Sequence, residues 1–211
     1  MRIIAIDGPA GAGKSTVARS LAARLGLEYL DTGAMYRGVT FAAMHRGIDT
    51  ADLKAVAELA RDITLEVGER GVLVDGVDAT TAIRSHEVTT AVSAVAANSA
   101  VRAELVRRQR AWANERGGGV LEGRDIGSVV FPDAELKLYL TASPRVRAER
   151  RVAEAGGDVD EIAAAIERRD HHDTSRKDGP LVEADGSIVV DTTGLSIDAV
   201  LAHIEQLLER E

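Results

Sequence analysis

A glycine-rich stretch near the start of the chain constrains its fold more than any other feature. Residues 8–16 read GPAGAGKST and fit the pattern G-x-x-x-x-G-K-[ST] of a phosphate-binding loop. The apolar run Ile3–Ile6 precedes this loop, and Val17, Leu21 and Leu25 follow it at helical spacing. The pattern therefore predicts a buried strand, a loop and a helix, which is the context in which this motif binds the phosphates of a nucleotide.

The residue types of the loop explain how it would bind phosphate. Glycines let backbone N–H groups close around phosphate oxygens, and the N-terminus of the next helix adds partial positive charge. Lys14 would reach the outer phosphates, and the hydroxyl of Ser15 would bind Mg²⁺. The predicted phosphate-binding residues are Gly8, Pro9, Ala10, Gly11, Ala12, Gly13, Lys14, Ser15 and Thr16.

The composition narrows the class of protein. A length of 211 residues suits one α/β domain with inserts. The absence of cysteine excludes disulfides, thiolate metal sites and a cysteine nucleophile. A formal charge of −8 disfavours nonspecific nucleic-acid binding. The chain shows no signal-peptide pattern and no apolar run of about 18 residues, so we expect a cytoplasmic protein with neither nucleic-acid nor membrane partners. Because no long exposed apolar stripe is evident, we expect a monomer.

Apolar runs predict five strands of one core sheet, separated mostly by helices. These strands are Ile3–Ile6, Leu27–Asp31, Val120–Glu122, Leu136–Leu140 and Ser187–Asp191. The third strand delivers Arg124 and Asp125 just beyond its carboxyl end, where ligands bind in open α/β sheets. Residues 129–132 are expected to form a short loop, and Gly156 and Gly157 are expected to break a helix.

A β-hairpin pattern interrupts the β–α alternation between the second and third core strands, and it predicts an inserted subdomain. Ile63–Val67 and Val72–Val74 flank a glycine-bearing loop, as in a β-hairpin. Ahead of it, the polar stretch at Asp49 and Thr50 is expected to open a helix. Two further helices are predicted after the hairpin, over 87–97 and 100–115, with Ser99 as the N-cap of the second.

Several arginines occupy positions that a solvated surface would not require. They are Arg37, Arg124, Arg147, Arg150, Arg151, Arg169 and Arg176. Arg169, Asp173 and Arg176 would share one helix face if that helix extends past residue 172. Any single arginine could be an ordinary surface charge, but Arg124 lies between an apolar strand and an apolar run. In a protein with a phosphate loop, these arginines indicate a second, anionic substrate. The five histidines do not form a metal-site pattern.

Three segments resemble bacterial cytidylate kinase: 7–16 (DGPAGAGKST), 30–37 (LDTGAMYR) and 122–133 (EGRDIGSVVFPD). Residues 83–88, 101–111 and 169–176 agree as well, so the resemblance covers nearly the whole chain. It implies an α/β, three-layer P-loop kinase core with a five-stranded parallel sheet. It also implies a nucleoside-monophosphate-binding insert with a small antiparallel β element, over about 38–100, and a short helical lid over about 146–177. All of these regions would belong to one domain spanning 1–211.

The resemblance further implies a reaction and a set of site residues. The reaction would convert ATP and CMP, or dCMP, to ADP and CDP, or dCDP, with Mg²⁺, in pyrimidine nucleotide metabolism. Arg37 and Arg124 would hold the CMP phosphate. The cytosine contacts would be Thr32, Arg102 and Asp125, and the ribose contacts Ser93, Arg169 and Asp173. Arg176 would bridge the nucleotide and the lid, and Arg147, Arg150 and Arg151 would lie near ATP. Lys14, Arg124, Arg150 and Arg176 would be catalytic. Thr32 stands where other members carry serine, which keeps the hydroxyl.

Two alternatives stay open on the sequence. Another small-molecule P-loop kinase would share the loop and the core, and a non-catalytic nucleotide sensor would need the loop but not the arginines. A GTPase switch would normally carry an N-K-x-D motif after a core strand, and the sequence has none.

Overall fold

A computed structural model describes residues 1–68 and 71–208. The strands are β1 (Arg2–Asp7), β2 (Tyr29–Asp31), β3 (Leu65–Gly68), β4 (Gly71–Val74), β5 (Val77–Asp78), β6 (Gly118–Glu122), β7 (Leu136–Thr141) and β8 (Ile188–Asp191). The α-helices are α1 (Lys14–Leu25), α2 (Thr32–His45), α3 (Leu53–Asp62), α4 (His86–Ala97), α5 (Ser99–Arg116), α6 (Pro144–Ala155), α7 (Val159–Ser175) and α8 (Ile197–Leu208). A 3₁₀ turn spans Ala82–Arg84, and a π-helical turn spans Ile126–Val130.

The core is the predicted five-stranded parallel sheet, and its strand order is β2-β6-β1-β7-β8. Strand β1 lies in its middle, and Ile4 pairs with Val120 on one side and Leu136 on the other. All five residues of β6 are buried, as expected for a strand covered on both faces. The register aligns Ile6 with Glu122 and Asp7 with Tyr139. The carboxyl ends of β1, β6 and β7 therefore share one edge.

The chain divides into two compact units. The first contains residues 1–28 and 117–211, and the second contains residues 29–116. In the first unit, local capping accounts for the helix ends. Gly26 ends α1 in the left-handed conformation. The hydroxyl of Ser143 accepts from the N–H of Val146 at the start of α6, and Gly156 ends that helix at φ 74°.

Helix α7 extends further than its apolar pattern indicates. Asp158 caps its start, accepting from the N–H groups of Asp160 and Glu161. The helix continues to Ser175, so Arg169 and Asp173 both lie on it and Arg176 follows as its C-terminal cap residue. The loop predicted over 129–132 is wrong in its first half. Val129 and Val130 belong to the π-helical turn, because both donate to the carbonyl of Asp125, and only residues 131 and 132 lie outside helices and strands.

The second unit contains the predicted hairpin, in which Val67 pairs with Val72 across an antiparallel ladder. Glu69 and Arg70 of the hairpin loop lie outside the described residues. Strand β5 was not predicted, since a two-residue strand leaves no alternating pattern. With β5, the hairpin becomes a three-stranded sheet in the order β3-β4-β5.

Two helices of this unit are capped by residues other than the predicted ones. Helix α3 begins at Leu53, and its cap is Asp52, whose carboxylate accepts from the N–H groups of Lys54 and Ala55. The cap of α5 is Asn98 and not Ser99, since Asn98 Oδ1 accepts from Ala100 N and Val101 N at 3.1 and 3.4 Å. Neighbouring polar residues compete for a cap, and backbone geometry selects one. The insert over 38–100 and the lid over 146–177 stay predictions. Among the described helices, none is long and apolar enough to cross a membrane.

Candidate active site

The phosphate loop joins the carboxyl end of β1 to the start of α1. Gly8 has φ 144°, and a Cβ there would lie 1.9 Å from the carbonyl oxygen of Leu140, so only glycine lets the loop leave the strand here. The first backbone hydrogen bond of α1 runs from Val17 N to Gly13 O. The described residues give the N–H groups of 14–16 no backbone acceptor, which leaves them available to a phosphate.

Lys14 lies at the first position of α1 and is buried. Its ammonium group donates to the carbonyl of Pro9 at 2.8 Å. Burial lowers the pKa of Lys14 well below its usual value, and the charges of Arg124 and Arg169 lower it further, whereas Glu122 and Asp7 oppose the shift. Lys14 therefore shares a positively charged environment with Arg124 and Arg169, which an anionic ligand would help to neutralise.

Asp7 organises the segment that carries Arg124. Its carboxylate accepts from Ile126 N at 2.8 Å and from Gly127 N at 2.7 Å. Burial raises the pKa of Asp7 to about 6, although both hydrogen bonds act in the opposite direction. Sequence reasoning did not assign this residue a role. The available signal was its place directly after a buried strand, at the carboxyl edge of the sheet.

Three predicted arginines lie around Asp173 in the first unit. Arg124 Nε donates to Asp173 Oδ2 at 2.8 Å, and Arg176 Nη1 lies 3.6 Å from Asp173 Oδ1. Arg169 lies one helical turn before Asp173, and its buried Nε has no hydrogen-bond partner among the described residues. Burial and the charge of Arg124 lower the pKa of Arg169 to about 10.

Asp173 only partly neutralises this arginine cluster. Burial alone would raise the pKa of Asp173, but the charges of Arg124, Arg169 and Arg176 outweigh it and lower the value. The three arginines lie around one carboxylate, and the charges of Asp170 and Glu122 act on Arg124 as well. Guanidinium groups gathered in this way suit the phosphate of an acceptor. Asp125 lies beside this cluster in sequence and is buried, and its carbonyl accepts from Val129 N at 2.9 Å.

The arginines of α6 have three different environments. Arg147 is buried and donates to the carbonyls of Ala142 and Ala10, each at 3.1 Å, and to Asp170 Oδ2 at 2.5 Å. Arg150 binds Thr192, with Nη1 2.9 Å from the hydroxyl and Nη2 2.8 Å from the carbonyl.

Arg151 pairs with its exposed neighbour Glu154 at 3.2 Å. Sequence reasoning did not assign roles to Asp170 and Thr192. The hydroxyl of Thr192 also bonds the carbonyl of Ala12 at 3.3 Å, so Thr192 links Arg150 to the phosphate loop. No local pattern marks either residue, because both interact with segments far away in sequence.

In the second unit, Arg37 is buried on α2 and held from two sides. Its Nη1 donates to the carbonyl of Ile83 at 3.0 Å and to the hydroxyl of Thr89 on α4 at 2.8 Å. Ser93 lies one turn further along α4 and is half-buried. Arg37 is therefore oriented by a helix that also carries a predicted ribose contact.

The predicted cytosine contacts of this unit are also buried. Arg102 on α5 lies over the ring of Tyr36, with its guanidinium carbon 5.7 Å from the ring centroid, and is only 4% exposed. Thr32 is the first residue of α2, directly after the cap residue Asp31. Buried polar side chains of this kind can bind a flat polar ligand and fix its orientation through hydrogen bonds.

The donor set fits Mg²⁺ bound through substrate phosphates better than a cage made by the protein alone. In the described part of the chain, no group of three His, Cys, Asp or Glu side chains could hold a metal. Ser15 lies second in α1 and is only partly buried. Mg²⁺ usually takes one or two protein oxygens and completes its shell with phosphates and water.

A family model and similar proteins indicate the same family for this chain. The family model for cytidylate kinase matches residues 4–210. A cytidylate kinase of Mycobacterium leprae is 46% identical, over 99% of this chain and 96% of its own length. A bifunctional pantoate ligase/cytidylate kinase of a Synechococcus strain is 50% identical over 94% of this chain. The chain spans only 44% of that longer relative.

Solved structures agree on the fold. A gluconokinase from Sinorhizobium meliloti superposes with a TM-score of 0.53 at 14% identity, covering 99% of this chain and 94% of its own. At this identity the likeness concerns the fold alone.

Proposed function

The chain belongs to the cytidylate kinase family, and from this we propose that it transfers the γ-phosphoryl group of ATP to CMP or dCMP, giving ADP and CDP or dCDP. The observation that carries the proposal is the proximity of Lys14 to Arg124 and Arg169, whose charges lower its pKa. A lysine of the donor loop and arginines suited to an acceptor phosphate share one electrostatic environment. A sensor that only binds a nucleotide would not need these arginines.

The chemistry requires positioning more than proton transfer. A CMP phosphate has a second pKa of about 6, so an attacking oxygen is already anionic near neutral pH. That oxygen forms the bond to the γ-phosphorus as the bond to the β,γ-bridging oxygen breaks. Lys14 and the arginines would stabilise charge on the transferred group. Mg²⁺, held by Ser15 and the ATP phosphates, would supply further positive charge at those oxygens.

The substrate contacts are assigned residue by residue. We assign the CMP phosphate to Arg37 and Arg124, and the cytosine to Thr32, Arg102 and Asp125. The ribose is assigned to Ser93, Arg169 and Asp173. The backbone of 8–16 would bind the ATP phosphates, and Arg150 and Arg176 would act on the transferred group when the lid region, 146–177, closes and excludes water. We further propose a monomer in the cytoplasm, where ATP and nucleoside monophosphates are found.

A coupled ADP-release assay tests the proposal, with ATP, Mg²⁺ and a panel of CMP, dCMP, UMP, AMP and GMP. We expect CMP and dCMP to be the preferred acceptors. A reaction without acceptor measures ATP hydrolysis and serves as the control. Tight nucleotide binding without ADP release would favour the sensor, and turnover only with an acceptor that lacks a phosphate would favour another small-molecule kinase.

A further inference from the structure

A largely buried ion pair links the phosphate loop to helix α7. Arg147 Nη1 donates both to the carbonyl of Ala10, in the loop, and to Asp170 Oδ2, on α7. The two side chains are 7% and 19% exposed. The third contact of Arg147, from Nε to the carbonyl of Ala142, anchors it to the residue after β7. One guanidinium group therefore bridges the loop proposed to bind ATP and the helix proposed to bind CMP.

The contact between α6 and the loop is tight. Gly11 has φ 77°, and a Cβ placed there would lie 3.0 Å from both the Cβ and the carbonyl oxygen of Arg147. Because no space separates the loop from this turn of α6, a small displacement of Arg147 must move the loop or be resisted by it. The position of Arg147 is therefore tied to the position of the loop.

Asp170 also interacts electrostatically with the acceptor arginines. Its Oδ1 is buried and has no hydrogen-bond partner in the described part of the chain. Its charge acts on Arg124 and on Arg169. The carboxylate therefore interacts with Arg147 on one side and with the acceptor arginines on the other. A CMP phosphate that neutralises those arginines would leave Arg147 as the main cation for Asp170.

We propose that the Arg147–Asp170 ion pair couples the two nucleotide sites, so that each nucleotide strengthens binding of the other. This inference rests on the proposed function, because it takes CMP as the anion that meets Arg124 and Arg169. Arg147 is then a positioning residue. Its guanidinium group is occupied by protein groups and fixes Ala10, so that the N–H groups of the loop face the phosphates. Coupling of this kind is reciprocal by thermodynamic necessity.

A calorimetric titration measures the coupling directly. The dissociation constant of a non-hydrolysable ATP analogue with Mg²⁺ is determined with and without saturating CMP. For the wild type we expect CMP to tighten binding at least about fivefold, the lower end of typical allosteric coupling. For Asp170→Asn we expect the ratio to fall towards one, since the amide lacks the charge that responds to the acceptor arginines. Arg147→Lys should lower the ratio as well, because one ammonium group cannot reproduce three separate contacts.

The chain offers a matched control. Arg145 Nη1 and Asp160 Oδ1 also join α6 to α7, at 3.9 Å, but they are 72% and 89% exposed. Asp160→Asn should keep the wild-type ratio. Thermal melting identifies any variant that fails to fold. If either Asp170→Asn or Arg147→Lys does not fold, the ratio measured for the other variant tests the coupling.

Two results would overturn the coupling. One is a wild-type ratio near one, and the other is an unchanged ratio in folded Asp170→Asn or Arg147→Lys. The proposed function fails differently, since the wild type would then neither bind nor phosphorylate CMP in the first place.

Discussion

Arg124 and Asp173 form an ion pair at 2.8 Å between side chains that are 16% and 7% exposed. The partners are 49 residues apart in sequence. A buried pair of this kind leaves an uncompensated charge when one member is removed. Both residues are proposed to contact the substrate, so experiments on their variants must distinguish a lost substrate contact from a lost ion pair that holds the site in place.

Asp173→Ala should impair CMP and dCMP by different factors. Only CMP carries the 2′-hydroxyl that a ribose contact would bind, so its loss should be larger. The measurement is kcat/KM for both acceptors, with thermal melting as the control for folding. Equal losses for both nucleotides would mean that Asp173 only braces Arg124 and Arg176.

Lys14→Ala should lower kcat by at least about a hundredfold with little change in the melting temperature.

ATP binding should also be linked to proton uptake at Lys14. Burial and the charges of Arg124 and Arg169 lower the pKa of Lys14, and a bound triphosphate favours the charged ammonium, so ATP binding should take up a proton. Calorimetry in two buffers of different ionisation enthalpy measures this uptake above neutral pH. Equal uptake in wild type and variant would assign the proton to another group.

Arg37→Ala should reduce kcat/KM for CMP at least about tenfold, or roughly 1.4 kcal/mol, because a charge-assisted contact to phosphate is lost. Affinity for ATP should change much less. Thr89→Val is a useful companion, since it removes the hydroxyl that Arg37 binds at 2.8 Å and should have a smaller effect of the same kind. A loss of ATP binding as large as that of CMP use would remove Arg37 from the acceptor site.

Asp7→Asn should change how stability depends on pH. Burial raises the pKa of Asp7 from 3.8 to about 6, so the folded protein holds this proton more tightly than the unfolded chain. The stability that Asp7 contributes is therefore fully present below its unfolded pKa and is lost as pH rises to about 6. Measured by urea unfolding, the stability of wild type relative to the variant should decrease across this window and then level off. A difference that increases with pH would contradict the raised pKa.

Asp125→Asn should alter base selection. An ionised Asp125 can accept from the N4 amino group of cytosine, and it would repel the carbonyl of uracil. An unsatisfied buried pair costs about 1–3 kcal/mol, enough for at least about a tenfold preference for CMP over UMP. The variant should lose activity with CMP and lose less, or gain, with UMP. Equal changes in kcat/KM for both would indicate a structural role and leave Arg102 and Thr32 as the candidates.

The sequence alone determined the parts that depend on local pattern. A strand, a glycine-rich loop and a helix around Lys14 follow from an apolar run, from helical spacing and from glycines that can adopt positive φ, as Gly8 and Gly11 do. The five core strands follow from apolar runs, and the hairpin from its glycines. Arg124 was recognisable as unusual because it follows a buried strand.

Only the tertiary structure decided which charged groups meet. Arg147 reads as one of several arginines on α6, yet its partners are Ala10, Ala142 and Asp170. Asp7 reads as the end of a strand, yet it orders the turn that follows Asp125. Helix α7 continues beyond its apolar stripe and carries Arg169 and Asp173 towards Arg124. The pairings of Arg147 with Asp170 and Ala10 join residues 23 and 137 positions apart, and strand register and helix packing select these partners, which no local periodicity encodes.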